Sequence, residues 1–261
     1  MPHASINGQD ISFRDHGGSG PPVILGHGFL MDQTMFDKQV AALAPKYRVI
    51  THDARAFGET RFDGKPFTYW DLAKDVVGLM DHLGIDRAVV GGMSQGGYVA
   101  LRVALAAPDR VRALVLIDSQ GGAEDPAVAA GYQQLLDGWA AAGPVEQIAR
   151  TVAKIIIDHP DHDDVWIAKW RSRERSLIVE SGKCLIHRDS ISERLGEIDR
   201  PTLVVHGTND GAISVDVMEK TTALLRNKKT VLIEGGTHAS NVTHPDRVNE
   251  AMLAFLAELP R

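Results

Sequence analysis

Short runs of Val, Ile and Leu recur along the chain, separated by longer stretches whose apolar residues repeat at helical spacing. The runs lie at 23–25, 49–51, 88–90, 114–117, 203–205 and 231–233. Runs that are apolar on both faces are typical of buried parallel strands, and their alternation with amphipathic segments indicates βαβ units. The first 16 residues alternate more strictly and predict an antiparallel hairpin at the sheet edge. We therefore expect an α/β domain whose mostly parallel sheet carries helices on both faces.

The predicted crossover helices span 33–43, 69–83, 94–107, 215–225 and 245–259. Between 117 and 201 no comparable strand pattern occurs, and the pattern predicts helices at 126–142, 145–158, 163–181 and 186–195. Because open α/β sheets bind ligands at the carboxyl ends of their strands, an insert there predicts a helical cap over the site. We expect a core at 1–118 and 201–261 and a cap at 119–200. Its tryptophans are candidate walls of a substrate pocket, although simple packing explains any one of them more readily: Trp139, Trp166 and Trp170.

The sequence from Gly92 to Gly96 has the pattern Gly-x-Ser-x-Gly, with Ser94 at its centre. A β-branched run precedes it and a helix-forming stretch follows it. A serine on so sharp a strand-to-helix turn needs neighbours without side chains, and its hydroxyl is presented above a helix N-terminus that favours negative charge. Ser94 is therefore a candidate nucleophile, although the motif alone also occurs in ordinary glycine turns.

Composition narrows the class of protein. Acidic residues outnumber basic ones, 34 to 28, so the formal net charge is −6. The sequence contains no stripe of basic residues of the kind that binds nucleic acid, so we do not expect nucleic-acid binding. The N-terminal residues lack the charged and apolar regions of a secretory signal, and no apolar run is long enough to span a bilayer. The single cysteine, Cys184, leaves no partner for an intrachain disulfide. We expect a cytoplasmic protein.

A serine hydroxyl needs a general base, and the base needs a group that orients it. Asp210 follows the run at 203–205, and His238 follows the run at 231–233. The carboxyl ends of parallel strands lie at one edge of a sheet, so both side chains can meet Ser94 there. Asp118 is the alternative acid and His244 the alternative base.

Other histidines and acids fit structural roles better. His27 and His206 each precede a glycine and are expected to stabilise loops, with His27 also a candidate for substrate binding. The acidic and histidine-rich stretch 158–164 is interrupted by Pro160 and has no helical pair of histidines, so we predict no metal site.

Together these motifs resemble the α/β-hydrolase superfamily, over nearly the whole chain. The matching segments are His27-Gly28-Phe29, the loop from Asp53 to Gly58, the turn around Ser94, Gly207 to Asp210, and Gly236 to His238. The resemblance implies an eight-stranded sheet with a cap after the sixth strand, an oxyanion hole made by the N–H groups of Phe29 and Gln95, and no cofactor. Ala56 stands where the family often has glycine, which puts close backbone approach at that position in question.

The resemblance is strongest to small esterases, lactonases and perhydrolases that use no cofactor. It implies a serine hydrolase that cleaves a small carboxylic ester or lactone through an acyl-enzyme. Perhydrolysis and C–C bond hydrolysis can use the same triad, and a ligand receptor on this fold is the alternative from another class. A serine at position 94 excludes chemistry that needs an aspartate nucleophile. The sequence leaves open the substrate and the oligomeric state.

Overall fold

A computed structural model describes residues 2–260. Eight strands form one sheet in the order β1-β2-β4-β3-β5-β6-β7-β8. The strands are β1 (His3–Ile6), β2 (Gln9–Asp15), β3 (Pro22–Gly26), β4 (Arg48–His52), β5 (Ala88–Met93), β6 (Val111–Ile117), β7 (Thr202–Gly207) and β8 (Lys228–Ile233). The helices are α1 (Asp37–Leu43), α2 (Tyr69–His82), α3 (Gln95–Ala106), α4 (Pro126–Ala142), α5 (Glu146–Ile156), α6 (Pro160–Ser172), α7 (Ile178–Ile186), α8 (Val215–Thr221), α9 (Ser240–Thr243) and α10 (Pro245–Glu258).

The mostly parallel sheet predicted from the apolar runs is confirmed. From β4 to β8 every neighbouring pair is parallel, and each residue of β5 and β7 is buried. β1 and β2 form the predicted antiparallel hairpin. Asn7 and Gly8 connect them with φ angles of 48° and 77°, the left-handed pair that a tight hairpin turn requires. The parallel strands bring six loops to one edge of the sheet, after β3, β4, β5, β6, β7 and β8 in turn.

Four α-helices, α4 to α7, lie between β6 and β7. The single helix predicted over 163–181 is wrong, because α6 ends at Ser172 and α7 begins only at Ile178. Arg173 is extended there, with φ −90° and ψ 150°. Its guanidinium donates to the Ala56 carbonyl and stacks over the Phe57 ring, and these tertiary contacts outweigh helix propensity.

The helix predicted over 186–195 is also wrong, since a 3-10 helix over Ser192–Glu197 is the only helical turn there beyond Ile186 among the described residues. Arg188 and Asp189 explain the difference. Arg188 donates to the Gly122 carbonyl, and Asp189 accepts from Arg102 and Trp70. Separately, none of the helices within residues 2–260 has the length and apolar character that crossing a membrane requires.

Candidate active site

Ser94 occupies the turn between β5 and α3 with φ 48° and ψ −108°, a strained conformation for a residue with a side chain. A Cβ on Gly96 would overlap the Gly26 carbonyl, and one on Gly92 would also meet that carbonyl and Gly96. These positions therefore admit only glycine without movement of β3. Ser94 N donates to the Ile117 carbonyl at 2.8 Å, and the Ser119 hydroxyl donates to the Ser94 carbonyl at 2.8 Å, so the end of β6 and the loop after it hold the turn.

Three side chains from separate loops form a continuous hydrogen-bonded chain. Ser94 Oγ lies 3.0 Å from His238 Nε2, and His238 Nδ1 lies 2.9 Å from Asp210 Oδ2. Ser94 and His238 are each 5% exposed. Their chain order, serine then acid then histidine, is that of a serine hydrolase with its nucleophile on a strand-to-helix turn.

The Asp210 carboxylate is fixed from two sides. Its Oδ1 accepts hydrogen bonds from the backbone N–H groups of Ala212 and Ile213, both at 2.8 Å. Burial opposes ionisation of Asp210, but the charge and hydrogen bond of His238 outweigh it and lower the Asp210 pKa. Burial likewise opposes the imidazolium of His238, and the charge and hydrogen bond of Asp210 nevertheless raise the His238 pKa. Asp210 is therefore held as a carboxylate, and the His238 ring beside it gains a proton readily.

Asp118, the alternative acid, is fully buried and has a different set of partners. Its two oxygens accept from Gly207 N at 2.8 Å and Ser240 N at 2.9 Å. It thus joins the loop that carries Asp210 to the segment that follows His238. Burial first, and then the negative charge of Asp210, raise the Asp118 pKa to about 8. Asp210 and not Asp118 contacts the His238 ring within residues 2–260.

The alternative base lies elsewhere. His244 Nδ1 is 3.0 Å from the Thr243 hydroxyl, and His244 immediately precedes α10. His206 and the two acids, Asp118 and Asp210, place ligand-type atoms within 4.8 Å of one another. Those atoms already have protein partners: the carboxylate oxygens accept backbone N–H groups or face His238, and His206 Nε2 is 2.8 Å from the Ile213 carbonyl. Hydrogen bonding within the protein accounts for this cluster.

Two backbone N–H groups close to Ser94 have no hydrogen-bond partner in the described part of the chain: that of Gln95, which directly follows Ser94, and that of Phe29, which lines the same cavity from the loop after β3. His27 braces the latter loop, since its Nδ1 lies 2.7 Å from the Gly28 carbonyl and its Nε2 accepts from Ala54 N at 2.9 Å. Burial lowers the His27 pKa, so a neutral ring with its proton on Nδ1 satisfies both bonds.

α6 also holds the Phe29 loop. Trp170 Nε1 donates to the Leu30 carbonyl at 2.8 Å, and Lys169 Nζ pairs with Asp32 at 2.9 Å. Leu30 has φ 64°, a left-handed conformation that a leucine rarely adopts. Ala56, in the neighbouring loop, has φ 67° and is 1% exposed, so this alanine takes a conformation that glycine would adopt without strain.

A cavity opens above Ser94 and His238 and encloses about 640 Å³, including its opening to solvent. Most of its wall is apolar and comes from α4, α5 and the loops after β3 and β7. The other lining residues are Phe29, Leu30, Tyr98, Glu124, Tyr132, Leu135, Leu136, Val152, Ile155, Ile156, Leu185, Ala212 and Ile213.

The four residues predicted to contact substrate are not among the residues that line this cavity. Trp139 packs edge-on against Trp170 with ring centroids 6.0 Å apart, and Trp170 is turned to Leu30. Trp166 is covered by Lys169, whose Nζ is 4.2 Å from the ring centroid. His27 is 1% exposed and committed to its loop. These large aromatic side chains fill the seam between the inserted helices and the core, where their apolar surface is buried.

Sequence reasoning missed three polar residues of the cavity: Tyr98, Glu124 and Tyr132. Tyr98 comes four residues after Ser94 on α3, and spacing of one helical turn indicates a neighbouring position. Nothing in the local sequence pattern distinguishes Glu124 or Tyr132 from surface residues of the insert.

The strand order, the strained serine turn and the serine–histidine–aspartate chain define an α/β hydrolase. Residues 21–245 match the family described as alpha/beta hydrolase fold, and the chain belongs to that family. A thermophilic esterase from Thermogutta terrifontis has a similar structure, with 27% identity, a TM-score of 0.90 and 98% coverage of each chain. The enol-lactonase from Burkholderia xenovorans LB400 has 25% identity, a TM-score of 0.89, and coverage of 98% of this chain and 100% of that one.

A non-heme chloroperoxidase from Streptomyces lividans is 30% identical over 283 residues, covering 96% of this chain and 97% of the relative. The family and these relatives support the coarse assignment, a hydrolase of the α/β fold that acts on small molecules.

Proposed function

We propose that the protein is a serine hydrolase that cleaves a small carboxylic ester or lactone through an acyl-enzyme. The observation that carries the proposal is the chain from Ser94 Oγ to His238 Nε2 to Asp210, at 3.0 Å and 2.9 Å, beside two unpartnered backbone N–H groups. This arrangement supplies a nucleophile, a base, a group that orients the base, and donors for a developing oxyanion. Because the chain provides each of these groups, the proposed chemistry requires no cofactor.

In the first half-reaction Ser94 Oγ attacks the carbonyl carbon while its proton passes to His238 Nε2. The carbonyl oxygen becomes an oxyanion that accepts hydrogen bonds from Gln95 N–H and Phe29 N–H. When the tetrahedral intermediate collapses, the C–O bond to the alcohol breaks, and the departing oxygen takes the proton from His238 Nε2. Asp210 Oδ2 accepts a hydrogen bond from His238 Nδ1–H throughout, which keeps the imidazole in the required tautomer.

In the second half-reaction water gives one proton to His238 Nε2, and its oxygen attacks the acyl carbon. Collapse breaks the bond to Ser94 Oγ, which regains the proton from His238, and the carboxylic acid leaves. If the substrate is a lactone, the alcohol released in the first half stays attached to the acyl group, and the product is one hydroxy acid.

We further propose that residues 119–200 act as a cap over this reaction, with the remaining residues as the core. α4 and α5 supply Leu135, Leu136, Val152, Ile155 and Ile156 to the cavity wall. These apolar side chains support a substrate with an apolar body, and they limit the water near the oxyanion.

Labelling with a fluorophosphonate followed by peptide mass spectrometry tests the mechanism. We expect covalent modification at Ser94 and hydrolysis of 4-nitrophenyl acetate. Ser94→Ala should lose both labelling and turnover while it unfolds at the same denaturant concentration as wild type. Ser172→Ala, at the exposed end of α6, is the matched control and should keep both. Unchanged ester hydrolysis by Ser94→Ala would refute the proposal.

The 30% identical chloroperoxidase favours one second candidate, perhydrolysis. There hydrogen peroxide replaces water at the acyl-enzyme and the product is a peracid. Ester turnover with added hydrogen peroxide and bromide separates hydrolysis from perhydrolysis, because a peracid oxidises bromide and the oxidised bromine then brominates an indicator dye.

A further inference from the structure

The cavity has one polar region that the proposed mechanism does not use. Glu124 is the one carboxylate among the described residues that line the cavity, and most of the remaining wall is apolar. A carboxylate in such surroundings carries a large desolvation penalty unless it has a partner. Its contacts therefore indicate what it is able to bind.

Arg188 provides the partner. Arg188 Nη1 donates to Glu124 Oε2 at 2.8 Å, and the Arg188 side chain has no exposed surface. Its Nε donates to the Gly122 carbonyl at 3.0 Å, and its guanidinium carbon lies 4.6 Å from the centre of the Tyr98 ring. Arg188 is thus held behind the carboxylate, and the cavity meets Glu124 and not the guanidinium.

The backbone that carries Glu124 is also fixed. The Gly121 carbonyl accepts from Ile191 N at 2.9 Å, and a Cβ on Gly121 would come within 2.8 Å of Leu195 and 2.9 Å of the Thr221 carbonyl. Because the segment packs this closely, Glu124 cannot swing away from the cavity without breaking its contacts.

The second oxygen, Glu124 Oε1, has no hydrogen-bond partner within residues 2–260, and the side chain is 11% exposed. An ionised carboxylate only accepts hydrogen bonds. Since Arg188 neutralises the charge of Glu124, the subsite presents an acceptor without a net negative charge. Such a subsite suits a neutral donor better than an ammonium group, whose burial needs a full counter-charge.

Tyr132, on α4, borders the same cavity, and its hydroxyl has no partner in the described part of the chain. Burial, and after it the charge of Glu124, raise the Tyr132 pKa. The phenol therefore keeps its proton at neutral pH and can both donate to a substrate oxygen and accept from a substrate hydrogen.

We propose that Glu124 and Tyr132 form a subsite for a neutral hydrogen-bond donor, a hydroxyl or an amide N–H, on an otherwise apolar ester or lactone. The subsite selects against a carboxylate at that position, because a carboxylate also only accepts hydrogen bonds and would lose its hydration in an apolar cavity beside Glu124 Oε1. This inference rests on the proposed hydrolase function and specifies its substrate class.

Three 4-nitrophenyl esters whose acyl chains all have six carbons test the proposal: the hexanoate, the 6-hydroxyhexanoate and the adipate monoester. They end in a methyl group, a hydroxyl and a carboxylate. We expect kcat/KM for the hydroxyl ester to exceed that for hexanoate by about tenfold, and the carboxylate ester to be the poorest substrate. The corresponding esters with eight-carbon acyl chains test whether the subsite lies farther from Ser94. Acetate esters of alcohols that carry the same three end groups test whether the subsite binds the alcohol part of the substrate. The absence of a hydroxyl preference in every series would overturn the inference.

Glu124→Gln provides a sharper test. Arg188 can bond only to the amide oxygen of the new side chain, so the NH₂ group faces the cavity and offers a neutral donor in place of an anionic acceptor. We expect the hydroxyl preference to fall, because the substrate hydroxyl loses its charge-assisted acceptor and can only accept from the amide, and we expect the carboxylate ester to gain relative to wild type. Tyr132→Phe, which leaves the ion pair intact, should reduce the hydroxyl preference about threefold or more. Glu180→Gln, on the exposed Lys183 ion pair of α7, is the control and should match wild type.

The outcomes separate the two proposals. If wild type hydrolyses hexanoate and labels at Ser94 but both variants keep the full hydroxyl preference, the subsite is refuted and the hydrolase function stands. If wild type neither labels nor hydrolyses any ester, the hydrolase function is refuted and the substrate class falls with it.

Discussion

Replacement of Trp170 by phenylalanine tests whether α6 positions the oxyanion loop. Trp170 Nε1 donates to the Leu30 carbonyl at 2.8 Å, and Leu30 directly follows Phe29. Leu30 is 5% exposed, so Trp170→Phe leaves a buried carbonyl without its donor, at a cost of about 1–3 kcal/mol. The left-handed conformation of Leu30, φ 64°, costs about 1–2 kcal/mol. Since these two free energies are similar, the variant can relax the peptide at Leu30 and turn Phe29 N–H away from the oxyanion.

Complete loss of one oxyanion donor costs about 3–4 kcal/mol, which sets the upper limit of the effect on kcat at roughly a thousandfold. Partial relaxation should lower kcat about tenfold or more, with a smaller change in KM. Trp139→Phe is the matched control, because Trp139 is also buried and packs against Trp170, and its indole N–H makes no hydrogen bond within residues 2–260.

Steady-state hydrolysis of 4-nitrophenyl acetate gives kcat and KM for both variants, and urea unfolding gives their stability. Both variants should lose packing free energy of about 1–2 kcal/mol, and Trp170→Phe about 1 kcal/mol more. If kcat of Trp170→Phe stays within about twofold of Trp139→Phe, the indole hydrogen bond does not position the oxyanion loop and the reasoning is refuted.

The remaining predictions concern protonation and loop anchoring. The pKa of His238 is raised above 6.5, and only the neutral imidazole can act as the base. In a pH–rate profile, kcat/KM should therefore fall on acidification with a midpoint above pH 6.5. A midpoint below 6.5 would contradict this prediction. Asp118→Asn removes one of the two acceptors for Gly207 N and Ser240 N and should destabilise the fold by about 1–3 kcal/mol in urea unfolding. The folded pKa of Asp118, about 8, exceeds 3.8, so between these pH values the folded state holds a proton that the unfolded state lacks, and stability falls as pH rises. Asp118→Asn should flatten that slope, and an unchanged slope would exclude Asp118 as its source.

Local sequence patterns predicted the elements that carry the reaction. The apolar runs located six strands of the sheet, and the strict alternation in the first 16 residues located the edge hairpin. Strand-end positions also brought Ser94, Asp210 and His238 into one expected site, since parallel strands place their carboxyl ends at a common edge. The observed distances of 3.0 Å and 2.9 Å are consistent with that expectation.

The insert between β6 and β7 behaved differently. Its helix ends at Ser172 and Ile186 depend on where Arg173, Arg188 and Asp189 find partners that are distant in the sequence. Its tryptophans were expected in the cavity wall and instead fill the seam with the core.

Sequence by itself therefore determined the sheet, the serine turn and the order of the candidate catalytic residues, because these depend on hydrophobic period, on glycine where no Cβ fits, and on positions at strand ends. Only the tertiary structure decided which side chains line the cavity, how Trp170 holds the Leu30 peptide, and that Glu124 faces an apolar space with Arg188 behind it. Those features arise from contacts between residues distant in the chain, and the free energy of such contacts leaves no periodic trace in the local sequence.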